Sequence, residues 1–126
     1  MKEWVRVVKG GGHLLLVLPN KAANFDYRRP VTKFEHLLDD YLRAIGEDDL
    51  THLEEILQLH HLSRDPPAGD PEAFRQRSMD NFKNRTLHHH VFDRELIGQI
   101  FKHAELEMVV QQETRTDPIA LGVKRN

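Results

Sequence analysis

The sequence predicts an α/β protein, a small sheet interrupted by a helical insertion and closed by a terminal hairpin, and three observations predict it. His13-Leu-Leu-Leu-Val-Leu18 is an unbroken apolar run ending at Pro19, the pattern of a central strand buried on both faces. From Thr32 to Phe82 apolar residues recur at helical spacing. The chain then finishes helix–strand–turn–strand. A parallel βαβ repeat does not produce that ending, whereas a hairpin added to a mostly parallel sheet does.

Each element has a local reason. Met1 to Val8 carries Trp4, Val5, Val7 and Val8 among charges and reads as the last turns of an amphipathic helix, stopped by Gly10-Gly11-Gly12. Asn20 to Pro30 has no apolar period and is a loop. Thr32-Lys-Phe-Glu35 has the form of a capping box, followed by Phe34, Leu37, Leu38, Tyr41, Leu42 and Ile45 on one face and by Gly46 as a stop. Thr51-His-Leu-Glu54 is a second capping box, with Leu53, Ile56, Leu57 and His60 sharing a face until Asp65-Pro66-Pro67. Asp70-Pro71 supplies an N-cap and a proline at the first helical position. Leu87 to Phe92 reads as extended. Asp93 caps a helix bearing Leu96, Ile97, Ile100, Phe101 and Ala104, and Leu106–Val110 and Ile119–Val123 are strands joined by a turn at Thr114 to Pro118. The 126 residues fit one domain in three segments: 1–19, the insertion 20–86, and 87–126.

Composition narrows the function classes. Charged residues make up 30% and hydrophobic residues 39%, with a net charge of −2, so a folded globular chain is expected and the basic excess of a nucleic-acid binder is missing. There is no cysteine, which removes disulfides and thiolate metal sites. No apolar run approaches the length of a membrane span, and Met1 to Gly12 lacks the apolar core of a signal peptide. A cytoplasmic location is the expectation. Ser63 and Ser78 lack the G-x-S-x-G setting of a nucleophile elbow.

Three groups of residues carry candidate chemistry. Asn20 and Lys21 lie just past the strand's C-terminal end, the edge where open α/β sheets bind ligands. Asp26, Tyr27, Arg28 and Arg29 form a loop in which the guanidinium forks suit an anionic group. His88-His89-His90 is the most unusual local feature. In an extended segment His88 and His90 share a face, and an imidazole such as His90 is the natural general base near neutral pH. A metal site shared with His60 or His61 and a carboxylate such as Glu35 or Asp39 rests on composition alone, since no H-E-x-x-H motif occurs, and no metal ligand is assigned.

The ordered set of elements resembles the second half of a class I S-adenosylmethionine-dependent methyltransferase of the type 11-like kind. Glu3 to Asn20 looks like that family's helix, glycine turn and fifth strand. His88-His89-His90-Val91-Phe92-Asp93 with the following helix and hairpin looks like its ending, and Phe25 to Thr32 with the helices after it resembles an insertion of one subgroup. Gly10 stands where the family has proline, and Glu105 where it commonly has glycine after the last helix. The resemblance implies a partial Rossmann-like sheet of three strands, the last antiparallel. It also implies an acceptor-side role for Asn20, Lys21, Arg28, Arg29, His88 and His90.

The cofactor half of such an enzyme is absent. A nucleotide cradle needs a glycine turn after a strand and an acidic residue ending the next one, whereas Gly10 to Gly12 precedes its strand. No cofactor is therefore expected on the isolated chain, and S-adenosylmethionine is implied only for a complete enzyme. Without a fourth strand beside it, the strand at 13–18 has an unpaired edge. That edge predicts a homo-oligomer, or docking onto a separate chain that carries the cofactor half. A non-enzymatic oligomerisation or binding module on the same remnant is the alternative; neither nucleic acid nor membrane is an expected partner.

Overall fold

The structure, a computed structural model, describes residues 1–114 and 117–126. They form two compact units: residues 1–20 with 92–126, and residues 21–91. The insertion expected from the sequence, 20–86, is close to the second unit, which also takes in Leu87 to Val91, grouped with the terminal elements from the sequence, and leaves Asn20 to the first unit.

The first unit is a helix-backed sheet. Helix α1 (Lys2–Val7) leads through the glycine run into β1 (His13–Val17), and α6 (Arg94–His103) precedes β2 (Leu106–Glu113) and β3 (Pro118–Lys124). The strand order is β1-β3-β2, and β3 runs antiparallel to both neighbours. The run at 13–18 alternates rather than being buried on both faces. Leu14 and Leu16 pack toward the Ile97, Phe101, Leu106 and Ala120 core, while Leu15 and Val17 are 59% and 51% exposed. Among the described residues β1 has a strand partner on one side only, and no element covers Leu15 and Val17 on its second face.

The glycine turn and the hairpin hold each other. Gly11, at φ +73, donates its N–H to the Lys124 carbonyl, and the Lys124 N–H returns to the Gly12 carbonyl. Lys124 Nζ also donates to the carbonyls of Val5 and Val8, a cation at the C-terminal end of α1. Gly122 gives the Phe101 ring its place: a Cβ there would sit 2.6 Å from ring carbons. The Asp93 carboxylate caps α6 by accepting from the Leu96 N–H at 2.8 Å, as the sequence predicts. In the expected turn Thr114 bonds Asp117 through backbone and hydroxyl; Arg115 and Thr116 lie outside the described residues.

The second unit is built from short helices: α2 (Phe34–Leu42), α3 (Leu53–Leu59), α4 (Pro71–Met79) and α5 (Asn81–Asn84), with 3₁₀ turns at Leu62–Arg64 and Pro66–Ala68. Its apolar core is Ile56, Ala68 and Phe74 with Leu57, Leu62 and Leu87 against them. Asp70 caps α4 as predicted, accepting from the Ala73 N–H. Neither expected capping box forms. The Thr32 hydroxyl instead accepts from the Val91 N–H while the Thr32 N–H donates to the Val91 carbonyl, so the residue ties two distant segments together. The Thr51 hydroxyl donates to Asp49. In both cases a competing partner takes the side chain that the local motif would have used. The segment at 87–92 carries no strand pairing.

Gly46 does not stop α2. The helix ends at Leu42 in a Schellman motif, with Ala44 at φ +54 and Ile45 N–H returning to the Asp40 carbonyl. The same left-handed placement occurs at Glu105 after α6, at φ +56. A side chain there costs about 1 kcal/mol that glycine avoids. Glu105→Gly relieves that cost but adds about 0.4–1 kcal/mol of unfolded-chain entropy, so it should leave stability unchanged or raise it by up to about 0.5 kcal/mol, read as a urea midpoint at or slightly above wild type; a lower midpoint would refute the strain. Among the described residues no helix is long and apolar enough to cross a membrane.

Candidate functional site

The chemistry-bearing residues of the second unit gather around one buried cation. Arg29 is 2% exposed, and all three guanidinium nitrogens are engaged. Nε donates to Glu55 at 2.8 Å, Nη1 to Asp26 at 3.1 Å and to the His88 carbonyl at 2.6 Å, and Nη2 to the His89 carbonyl at 3.1 Å. The fork that the sequence offered to an anionic acceptor thus closes on the protein's own carboxylates and carbonyls. In doing so it fixes the backbone of the histidine run.

The three histidines then diverge. His88 Nδ1 lies 2.6 Å from the Asp26 carboxylate. Asn81 Nδ2 donates to His89 Nε2 at 3.0 Å. His90 Nε2 lies 2.8 Å from Asp40 Oδ2. Burial alone would raise the Asp26 carboxyl, but the His88 hydrogen bond and the Arg29 charge outweigh it and hold it below the ordinary carboxylate value.

Around Asp40 two further imidazoles converge. His36 and Asp40 are four residues apart on α2 and so share a face, with His36 Nε2 3.3 Å from Asp40 Oδ2. His52 stands at the N-cap of α3 and presents its Nε2 2.9 Å from that of His36. Each of the four residues offers one ligand atom within 4.8 Å of the others. Burial lowers the His52 and His90 pKa values. For His52 the charges of His36 and Arg29 lower it further, and for His90 the Asp40 carboxylate opposes the shift without cancelling it. These imidazoles therefore favour the neutral form, the form that offers a lone pair. A His–Asp pair is also the arrangement that orients a general base, but here three imidazoles crowd the same carboxylate.

The metal ligands weighed from composition do not assemble. His60 is buried between Phe25 and Phe74, with Nε2 3.1 Å from Asp65, and burial lowers its pKa. His61 meets the Ser63 hydroxyl, and Asp39 pairs with Arg43. His90 alone carries over from that set, joined by the neighbours of Glu35 and Asp39 in sequence. The signal that finds them is the i, i+4 step from His36 to Asp40 on an amphipathic helix, and the His36–His52 and Asp40–His90 contacts are tertiary.

The remaining candidates are dispersed. Lys21 Nζ donates to the Tyr27 carbonyl, and exposed Arg28 donates to the Tyr27 hydroxyl. Asn20 belongs to the sheet unit, where its amide donates to the Thr114 carbonyl at 3.4 Å.

Asp26 gives the site a pH signature. Its folded pKa is below the ordinary 3.8, so its contribution to stability is present above about pH 4 and is lost as pH falls through the folded value. Asp26→Asn should cost about 3 kcal/mol at pH 7, because Arg29 keeps only Glu55 as a carboxylate partner. The gap between variant and wild type should close below pH 4, as read by denaturant titration across pH. A gap that does not change with pH would refute the role of the charge. Comparison of the chain with protein-family models, with curated proteins and with solved structures finds no match.

Proposed function

We propose that the chain is the acceptor-side half of a class I S-adenosylmethionine-dependent methyltransferase, with a partial Rossmann-like sheet and without catalytic activity of its own. The observation that supports this reading is the strand order. In that family the fifth strand lies beside the seventh, the last strand is antiparallel, and the final two strands close the sheet as a hairpin. Here the strand after the glycine turn lies beside the last strand, and the hairpin partner lies on its far side. The helix capped by Asp93 precedes that hairpin, as the resemblance requires.

In this reading Lys21 and exposed Arg28, on the loop that opens the second unit, are acceptor contacts, and Asn20 is a separate candidate on the sheet unit. Arg29 and His88 serve the framework through Asp26. The methyl donor would come with a cofactor half that this sequence does not contain. The open edge of β1, with exposed Leu15 and Val17, supports association of this chain with a second copy.

Titration calorimetry of the chain with S-adenosylmethionine should give no heat of binding. Micromolar binding would overturn the reading of a half without its cofactor cradle. Sedimentation velocity at micromolar concentration should show a dimer or larger species, and a monodisperse monomer would overturn the association.

A further inference from the structure

We propose that His36, Asp40, His52 and His90 bind a divalent transition-metal ion of the zinc class. The proposal goes beyond the methyltransferase reading and does not depend on it. Three facts carry it. First, the donor set is three imidazole nitrogens and one carboxylate oxygen, drawn from α2, the start of α3 and the segment after α5. Imidazole-rich sets suit zinc and its neighbours, whereas magnesium and calcium take oxygen cages.

Second, the spacing fits a tetrahedron. Zn–N bonds of about 2.05 Å put ligand atoms about 3.3 Å apart around the ion. The measured separations are 2.8 Å from His90 to Asp40, 2.9 Å from His36 to His52 and 3.3 Å from His36 to Asp40, with every pair within 4.8 Å. Third, the rings radiate. Their centroids lie 4.9, 5.5 and 5.6 Å apart with interplanar angles of 85°, 70° and 73°. Three imidazoles on one tetrahedral ion would have centroids about 5 Å apart by the same bond length. Packing histidines need not turn two Nε2 edges toward one carboxylate with a third Nε2 against the first of them.

Coordination is through Nε2 of each ring with its proton on Nδ1. The protons now bridging His36 to His52 and His90 to Asp40 must move to Nδ1 or leave. Three neutral rings and one carboxylate carry a charge of −1, so a divalent ion brings the site to +1. The ion would tie three segments of a unit whose apolar core is small, and binding energy of this kind appears as folding stability.

The test uses the full chain stripped with a chelator and titrated with zinc by calorimetry, then with cobalt by visible absorption. The expected result is one equivalent bound, the intense visible bands of tetrahedral cobalt, and a higher melting temperature with zinc. His52→Ala should weaken binding by more than about 100-fold, beyond the 10–100-fold that outer-shell changes produce, whereas His103→Ala should not. Should His52→Ala fail to fold, His36→Gln replaces a ligand whose side chain is 37% exposed and carries the same expectation. Less than a tenth of an equivalent bound, octahedral cobalt bands, or zinc affinity unchanged in the variant that folds would overturn the site.

Discussion

The buried guanidinium of Arg29 is the constraint on which the insertion depends. A charge this deep is tolerated only when each donor finds an acceptor and a carboxylate balances it, and the loop, α3 and the 88–89 backbone supply those partners together. Losing any of them exposes the charge to an apolar interior rather than merely removing one bond. The network therefore confers order on segments with little regular structure. It also sets the direction of His88, His89 and His90, because two of their carbonyls are the acceptors it uses.

From this point the rest of the unit follows. With the 88–89 backbone held, Val91 reaches Thr32 in both directions and His90 meets Asp40. A base role for His90 and the proposed ion are mutually exclusive, since a base oriented by Asp40 keeps its proton on Nε2 and its lone pair on Nδ1, whereas an ion on Nε2 moves the proton to Nδ1. Metal occupancy would therefore decide whether this histidine can take a proton from anything.

What the sequence showed and what it hid divide along the range of the interaction. The Asp70 and Asp93 caps, the glycine turn and the terminal hairpin are local, and their residues announce them. The capping boxes at Thr32 and Thr51 looked equally local but failed, because each hydroxyl had a better partner elsewhere. Thr32 is the instructive case, since its partner Val91 lies at the far end of the insertion. Arg29 was legible as a donor fork and not as a buried one, for no pattern in the loop reveals that Glu55 and two carbonyls will surround it. The histidine run was legible as unusual chemistry, but its carboxylate, Asp40, and its companions, His36 and His52, come from helices whose relative placement no periodicity encodes. Ala44 in a left-handed position was hidden because the glycine nearby, Gly46, gave a plausible but wrong end to the helix, whereas Glu105 was marked in the sequence as standing where glycine is common.

The pairing of β1 with β3 also bears on how the chain acquires its shape. Leu15 meets Leu121, so the sheet joins residues from opposite ends of the sequence, whereas Ile56, Ala68 and Phe74 meet within a short stretch. Contacts of high sequence separation form slowly, because the loop must close before they return any energy. The insertion can collapse while the sheet is still waiting for its last strand. Until that strand emerges from the ribosome, the apolar run at His13 to Leu18 lacks β3, the partner it has in the fold. For this protein the interval of greatest exposure to misassembly is thus the time taken to synthesise everything from the insertion through β2.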